Sequence, residues 1–187
     1  MRKLKLQVHM TVDGFGARKN GQNDWVFFSG PDEAGFQKLI NLAETCDTVL
    51  VGHNMAPTFL GHWQNMADSE QPTQQKTFGQ VISNMRKIVF SRNQNTSDVP
   101  NVEIENGDLR KAIEALKNEE GKDMIAYGCG EFVLALIKQN LIDEYYIIVN
   151  PVVIGDGISV FKEEKVLTLE SSDAFKNGKV LNKYLPV

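Results

Sequence analysis

The stretch from Met124 to Phe161, MIAYGCGEFVLALIKQNLIDEYYIIVNPVVIGDGISVF, constrains the fold of this chain more than any other. It joins an apolar strand, a glycine turn, a helix and a second apolar strand. The run Met124-Ile125-Ala126-Tyr127 stops at Gly128-Cys129-Gly130, after which Phe132, Ala135, Leu136 and Gln139 recur at helical spacing. Backbone N–H groups at such a strand-to-helix handover can face an anion. An ordinary tight βα turn would read the same over these few residues, so the segment alone leaves both open. A dinucleotide fingerprint of the Gly-x-Gly-x-x-Gly type fits poorly. Val133 stands where the third glycine belongs, and no acidic residue is well placed about 20 positions on.

The chain has 187 residues, 42% hydrophobic and 24% charged, which suits one soluble globular domain spanning residues 1–187 with a well-buried core. A net charge of −4 and scattered lysines and arginines speak against a nucleic-acid partner. No apolar run approaches the length of about 20 that a membrane span requires, and Met1-Arg2-Lys3-Leu4-Lys5 leads into an alternating strand, so a cytoplasmic protein without a membrane partner is expected. Cys46 and Cys129 lie far apart with no Cys-x-x-Cys, which predicts reduced thiols and no metal site. His9, His53 and His62 lack any metal or triad context and read as surface or edge histidines.

Leu4, Leu6, Val8 and Met10 alternate with polar residues, predicting a first strand that ends at the turn Asp13-Gly14, followed by a loop over 14–30. Phe36, Leu39, Ile40 and Ala43 predict a helix over 31–44. Strands follow at 48–52, 87–91 and 102–104, with loop and helix between 62 and 76. Asp108 precedes a helix carrying Leu109, Ala112, Ile113 and Leu116 that ends near Gly121. Tyr145 to Val149 is a buried strand, and Asn177-Gly178 between two apolar stretches predicts a closing hairpin. The alternation of strand and helix implies an α/β fold in three layers. Its central sheet is mixed and mostly parallel, with flanking helices and a C-terminal antiparallel hairpin.

Several separated pieces together resemble the dihydrofolate reductase superfamily, in the branch similar to the reductase domain of riboflavin biosynthesis. They are Met10-Thr11-Val12-Asp13-Gly14-Phe15, Thr48 to Gly52, Lys87 to Arg92, Gly128-Cys129-Gly130, Leu141 to Glu144 and Pro151 to Gly157. The resemblance covers almost the whole chain. It implies a sheet of about eight strands, a homodimer, and reduction by NADPH, with NADH the other option, of a pterin-like or ribosylaminopyrimidine-like small molecule. No zinc-deaminase signature accompanies it, so any activity would be reductase only.

The resemblance points to Thr11, Asp13, Trp25 and Asp32 around the substrate. Asp32 is the first choice for proton supply, with Asp13 beside it as a second catalytic carboxylate; Trp25 is a candidate lid. Each has a structural alternative: Asp32 near the second position of a helix, where its charge meets the dipole; Asp13 in an Asx-type turn; Trp25 covering a core edge. For the cofactor the resemblance points to Gly52, His53, Ser91, Arg92, Gly128, Cys129 and Gly130, with Arg92 meeting the 2′-phosphate that distinguishes NADPH. The chain departs from the family at Gly52-His53-Asn54-Met55, where Gly-Arg-x-Thr is usual, and at Cys129, where a second glycine and a cis peptide are usual. Two competing readings follow: a non-catalytic ligand-binding protein on the same fold with a degraded cofactor site, and a dihydrofolate reductase proper. The latter is weakened by the absence of that family's Leu-Pro-Trp loop.

Overall fold

A computed structural model describes residues 1–93 and 102–187. Its strands are β1 (Leu4–Thr11), β2 (Phe15–Ala17), β3 (Cys46–Gly52), β4 (Arg86–Phe90), β5 (Val102–Glu105), β6 (Asp123–Tyr127), β7 (Glu144–Asn150), β8 (Ile158–Ser159), β9 (Leu167–Ala174) and β10 (Val180–Pro186). Its helices are α1 (Glu33–Glu44), α2 (Ala56–Ala67), α3 (Gln74–Asn84), α4 (Leu109–Asn118) and α5 (Glu131–Lys138), with a 3₁₀ turn at Asp24–Phe27. Eight strands form one sheet in the order β5-β4-β3-β6-β1-β7-β10-β9. All neighbours are parallel from β5 to β7, and β10 runs antiparallel to both β7 and β9. β2 and β8 pair in a separate antiparallel ribbon.

Period-two alternation divides the core between the two faces of this sheet. Leu50, Ile88, Met124, Ala126, Tyr145 and Ile147 point to one side and pack with Ile113 and Leu116 of α4 and Val133, Leu136 and Ile137 of α5. Val49, Val51, Val89, Ile125, Tyr127 and Ile148 point to the other and pack with α1, α2 and α3. The central strands are apolar on both faces because both are covered.

The handedness of parallel crossovers then fixes where the loops go. The chain leaves β1 and β3 toward the face that holds α1 and α2, and leaves β6 toward the opposite face, where α5 lies. β6 stands between β3 and β1, so the loops at its carboxyl end and at those of its neighbours diverge. Such a switch point opens a crevice in which ligands of open α/β sheets bind.

Two expectations need correction. The segment 14–30 is not a plain loop, since it contains β2 and the 3₁₀ turn. His9 is half-buried on β1 rather than a surface residue, because β1 is internal to the sheet. The loop and helix expected over 62–76 are present as the end of α2, a short connection and the start of α3, where the aromatic stripe Phe59, Trp63 and Phe78 packs toward the sheet.

Candidate functional site

The carboxyl ends of β3, β4 and β6 lie level with one another. Gly52 pairs with Phe90, and Leu50 with Ala126, which brings Gly128 alongside Gly52. Each of the helices that follow β3 and β6 begins without a side-chain cap. This sets them apart: α1, α3 and α4 are capped by Asp32, Thr73 and Asp108. The first N–H groups of a helix have no intrahelical partner, and its N-terminus carries a partial positive charge. In α5 the first intrahelical acceptor is Gly130 O, bonded by Leu134 N at 3.0 Å, which leaves the amides of residues 131–133 facing outward. In α2 Phe59 N bonds Met55 O at 2.9 Å, and Pro57 occupies the first turn, where a missing N–H costs least. Two uncapped helix N-termini therefore flank the Gly52–Gly128 crevice and suit a divalent anion.

Two glycines give this cradle its shape. Gly128 has φ +98°, a conformation that L side chains rarely adopt, and a Cβ there would lie 2.6 Å from Met55 Sδ. Gly130 has φ −76° and nothing within 4 Å of a would-be Cβ, so its glycine is demanded by no contact within the protein. Cys129 is half-buried, and burial pushes its thiol above the ordinary range, so it is a neutral group at neutral pH. All described peptide bonds are trans. His53 donates its backbone N–H to Phe90 O at 3.0 Å, and Ser91 donates its own to Glu105 O at 3.0 Å. Ser91 Oγ accepts from Asn93 N at 3.3 Å. Arg92 is exposed just beyond β4. These residues gather at one end of the sheet, on the β3–β6 side of β1.

The substrate candidates gather on the other side. Thr11 is buried at the end of β1, and its Oγ1 accepts from Phe15 N at 2.9 Å. Asp13 holds the loop after β7: its carboxylate accepts from Gly155 N at 2.7 Å and from Ile154 N at 3.2 Å. The Thr11 hydroxyl and these amides hold that carboxyl below its usual range. Asp32 is the N-cap of α1, not its second residue, and Oδ1 accepts from Gly35 N at 2.8 Å. Oδ2 accepts from Asn177 N at 3.2 Å. The Gly35 amide, then those of Asn177 and Lys176, hold Asp32 below its usual range, so it is an anion at neutral pH. Trp25 is buried, 1% exposed, as the core-edge alternative expects.

Several residues to which the sequence reading gave no site role border these regions. His9 lies between Asn150, whose Nδ2 is 3.3 Å from its Nδ1, and the cation of Lys179. Burial and that cation push the ring down to about 4. Met55 lies against Gly128, and Glu131 places a carboxylate in the first turn of α5. Pro57 could have revealed the start of α2, whereas nothing local announces His9 or Asn177.

The family described as the RibD C-terminal domain matches residues 2–181. The uncharacterized protein YyaP of Bacillus subtilis (strain 168) is 31% identical over 182 residues, which are 96% of this chain and 92% of that one. Among solved structures, a putative riboflavin biosynthesis protein from Shewanella sp. PV-4 superposes with a TM-score of 0.76 at 21% identity, covering 99% of both chains. The diaminohydroxyphosphoribosylaminopyrimidine deaminase/5-amino-6-(5-phosphoribosylamino)uracil reductase of Thermotoga maritima superposes with a TM-score of 0.70 at 16% identity over 100% of this chain and 57% of that one. At such identities these superpositions establish the fold, a dihydrofolate reductase-like α/β sheet.

Proposed function

Because the chain belongs to the RibD C-terminal domain family, we propose that it is a nicotinamide-nucleotide-dependent reductase acting on a pterin-like or ribosylaminopyrimidine-like small molecule. The observation that carries this reading is the convergence of two uncapped helix N-termini on the Gly52–Gly128 crevice. An uncapped N-terminus binds phosphate through its amides and its dipole, and two of them facing one crevice suit a pyrophosphate. The open space above Gly130 lets such a group approach the backbone. Arg92, exposed at the end of β4, is the cation assigned to the 2′-phosphate, which makes NADPH rather than NADH the preferred cofactor. His53 and Ser91 border the same space.

The nucleotide, when bound, supplies the hydride. The protein's part is to hold the acceptor and exclude water, since among the described residues no side chain of the region is arranged as a nucleophile with its base. Thr11 and Trp25 are assigned to the wall around the substrate. Asp13 is assigned to fixing the loop over it, and the ionised Asp32 to accepting an N–H from the substrate edge through its remaining lone pairs. A carboxylate held below its usual range is a poor proton donor, so the proton is assigned to solvent rather than to Asp32.

Two observations favour a second reading, in which the fold binds a ligand without catalysing its reduction. Met55 Sδ lies 2.6 Å from where a Cβ on Gly128 would stand, and Glu131 sets a negative charge in the first turn of α5, at the helix end that would meet the pyrophosphate. Calorimetric titration with NADPH and with NADH at low salt decides between them. Micromolar NADPH binding, weakened at least tenfold in Arg92→Ala and followed by NADPH oxidation with a pterin, supports the reductase. Binding of neither nucleotide hands the site to the second reading.

A further inference from the structure

His9 stands on β1 where the two sides of the site meet. Gln7 pairs with Tyr127, the last residue of β6, so His9, two residues further on, lies beside the start of the glycine turn. On its other flank it pairs with Ile148 of β7 and contacts Asn150, the residue before Pro151. Pro151, with Trp25, Ser29 and Asn177, lines a cavity of about 320 Å³ on that side. A hydride passing from the nucleotide crevice to the β7 side therefore crosses the end of β1 close to His9.

The contact with Asn150 fixes which ring nitrogen carries the proton. Asn150 Nδ2 lies 3.0 Å from Ile148 O and 3.2 Å from Met10 O. Two carbonyl oxygens demand a donor, so the amide nitrogen rather than its oxygen occupies this place. The same nitrogen is 3.3 Å from His9 Nδ1. An amide NH₂ group accepts nothing, so a proton on Nδ1 would face another hydrogen, and Nδ1 is bare. Burial and the Lys179 cation hold the ring neutral, with a value of about 4. At neutral pH the ring is thus a single species that carries its proton on Nε2.

That N–H is uncommitted. Among the described residues Nε2 has no hydrogen-bond partner, and it is not one of the unpaired atoms sealed from solvent. A ligand entering beside β1 can therefore reach it. The neighbouring Lys179 ammonium, held by Val26 O at 2.7 Å, adds a fixed positive charge, and Asp32 supports that charge.

We propose that His9, through its Nε2–H, donates the hydrogen bond that polarises the hydride acceptor. The partner is the nitrogen or oxygen of the C=N or C=O bond under reduction. The hydride comes from the reduced nicotinamide, which is oxidised, and arrives on the carbon of that bond. The π electron pair moves to the nitrogen or oxygen, which then takes its proton from solvent. The His9 N–H and the Lys179 charge stabilise the negative charge gathering there. A neutral imidazole suits this work because it donates a hydrogen bond without surrendering its proton. This role rests on the reductase reading; the tautomer rests on Asn150 alone.

Nitrogen-15 NMR of protein carrying labelled histidine reads the tautomer with no nucleotide present. At pH 7 His9 is expected to carry its proton on Nε2, and Asn150→Ala, which releases Nδ1, should move its two nitrogen signals toward one another. Millimolar 6,7-dimethylpterin should shift the His9 Nε2 signal of the wild type and leave His62 unmoved. In NADPH oxidation with the same pterin, His9→Phe should lower kcat about a hundredfold while KM for NADPH stays within about twofold. His9→Gln, which keeps an N–H, should recover about tenfold of that loss. A proton on Nδ1, an unmoved Nε2 signal, or wild-type turnover in His9→Phe overturns the assignment. Should calorimetry show that neither nucleotide binds, the reductase reading falls, and the pterin-induced shift decides the donor role by itself.

Discussion

Asp32 and Asn177, 145 positions apart, meet through a hydrogen bond from the Asn177 backbone amide to Asp32 Oδ2 at 3.2 Å. The other carboxylate oxygen caps α1 through Gly35 N at 2.8 Å. One side chain therefore starts the first helix and anchors the turn between β9 and β10. The Asp32→Ala variant should lose about 1–2 kcal/mol of stability, the ordinary cost of a lost N-cap with a second bond added. Urea unfolding monitored by circular dichroism measures this, and an unchanged midpoint would refute it. NADPH affinity should change less than twofold, because Asp32 lies on the opposite side of β1 from the nucleotide crevice.

Gly128 and Gly130 should respond differently to the same substitution. Gly128→Ala forces a side chain into a φ of +98° against the end of Met55, and should destabilise the fold by about 1–2 kcal/mol. Gly130→Ala has room and an ordinary φ, so its unfolding midpoint should stay as in the wild type. It should nevertheless weaken NADPH binding at least tenfold, since the new methyl group stands where pyrophosphate approaches. Calorimetry on Gly130→Ala showing undiminished affinity would remove the pyrophosphate from this turn.

Glu131 opposes any anion at the N-terminus of α5. A charge in the first turn of a helix is typically worth about 0.3–1 kcal/mol. The Glu131→Gln variant should therefore bind NADPH roughly two- to fivefold more tightly, most visibly at low salt, as each 1.4 kcal/mol is about tenfold. Weaker binding in this variant would mean that the carboxylate serves the site instead of opposing it.

His9 ties folding to pH. Its ring is held neutral in the folded protein, with a value of about 4 against the ordinary 6.5, by burial and by Lys179. Between those values the unfolded chain binds the extra proton and the folded protein does not, so stability is full above about 6.5 and falls as pH drops toward 4. The loss is on the order of 1–3 kcal/mol. Urea midpoints at pH 7 and pH 5 should differ in the wild type, and this difference should shrink in His9→Gln. An equal difference in both proteins would place the pH response elsewhere.

The family resemblance implies a homodimer, and the sheet edge at β9 is one surface that such a dimer can use. Among the described residues β9 pairs with β10 alone, and Leu169 on it and Val166 just before it are 52% and 66% exposed. Light scattering should give twice the 21.0 kDa chain mass, and Leu169→Lys should return the monomer. A wild-type mass of one chain would rule the dimer out.

Much of this fold was legible locally. Alternation in Leu4 to Met10 named β1, the spacing of Phe36, Leu39, Ile40 and Ala43 named α1, Asp108 named the cap of α4, and Asn177-Gly178 named the closing turn. The glycine turn was legible because a strand must end before a helix can begin. Trp25 stayed open between a lid and a core edge because a lone aromatic in a polar stretch carries no sign of what will cover it; here the 3₁₀ turn at Asp24–Phe27 and the loop after β7 bury it. Asp32 was placed two residues too deep in its helix because Pro31 is a usual first helical residue, whereas the carboxylate itself became the cap.

The sequence by itself determined most of the sheet strands, α1, α4 and α5, their order and the glycine handover, since each rests on residues a few positions apart whose periodicity and capping chemistry act locally. Only the tertiary structure decided that the bare starts of α2 and α5 face one crevice and that Trp25, Ser29 and Asn177 enclose one cavity. Those arrangements depend on strand order, crossover handedness and bonds such as Asp32 to Asn177, whose partners lie far apart in the chain.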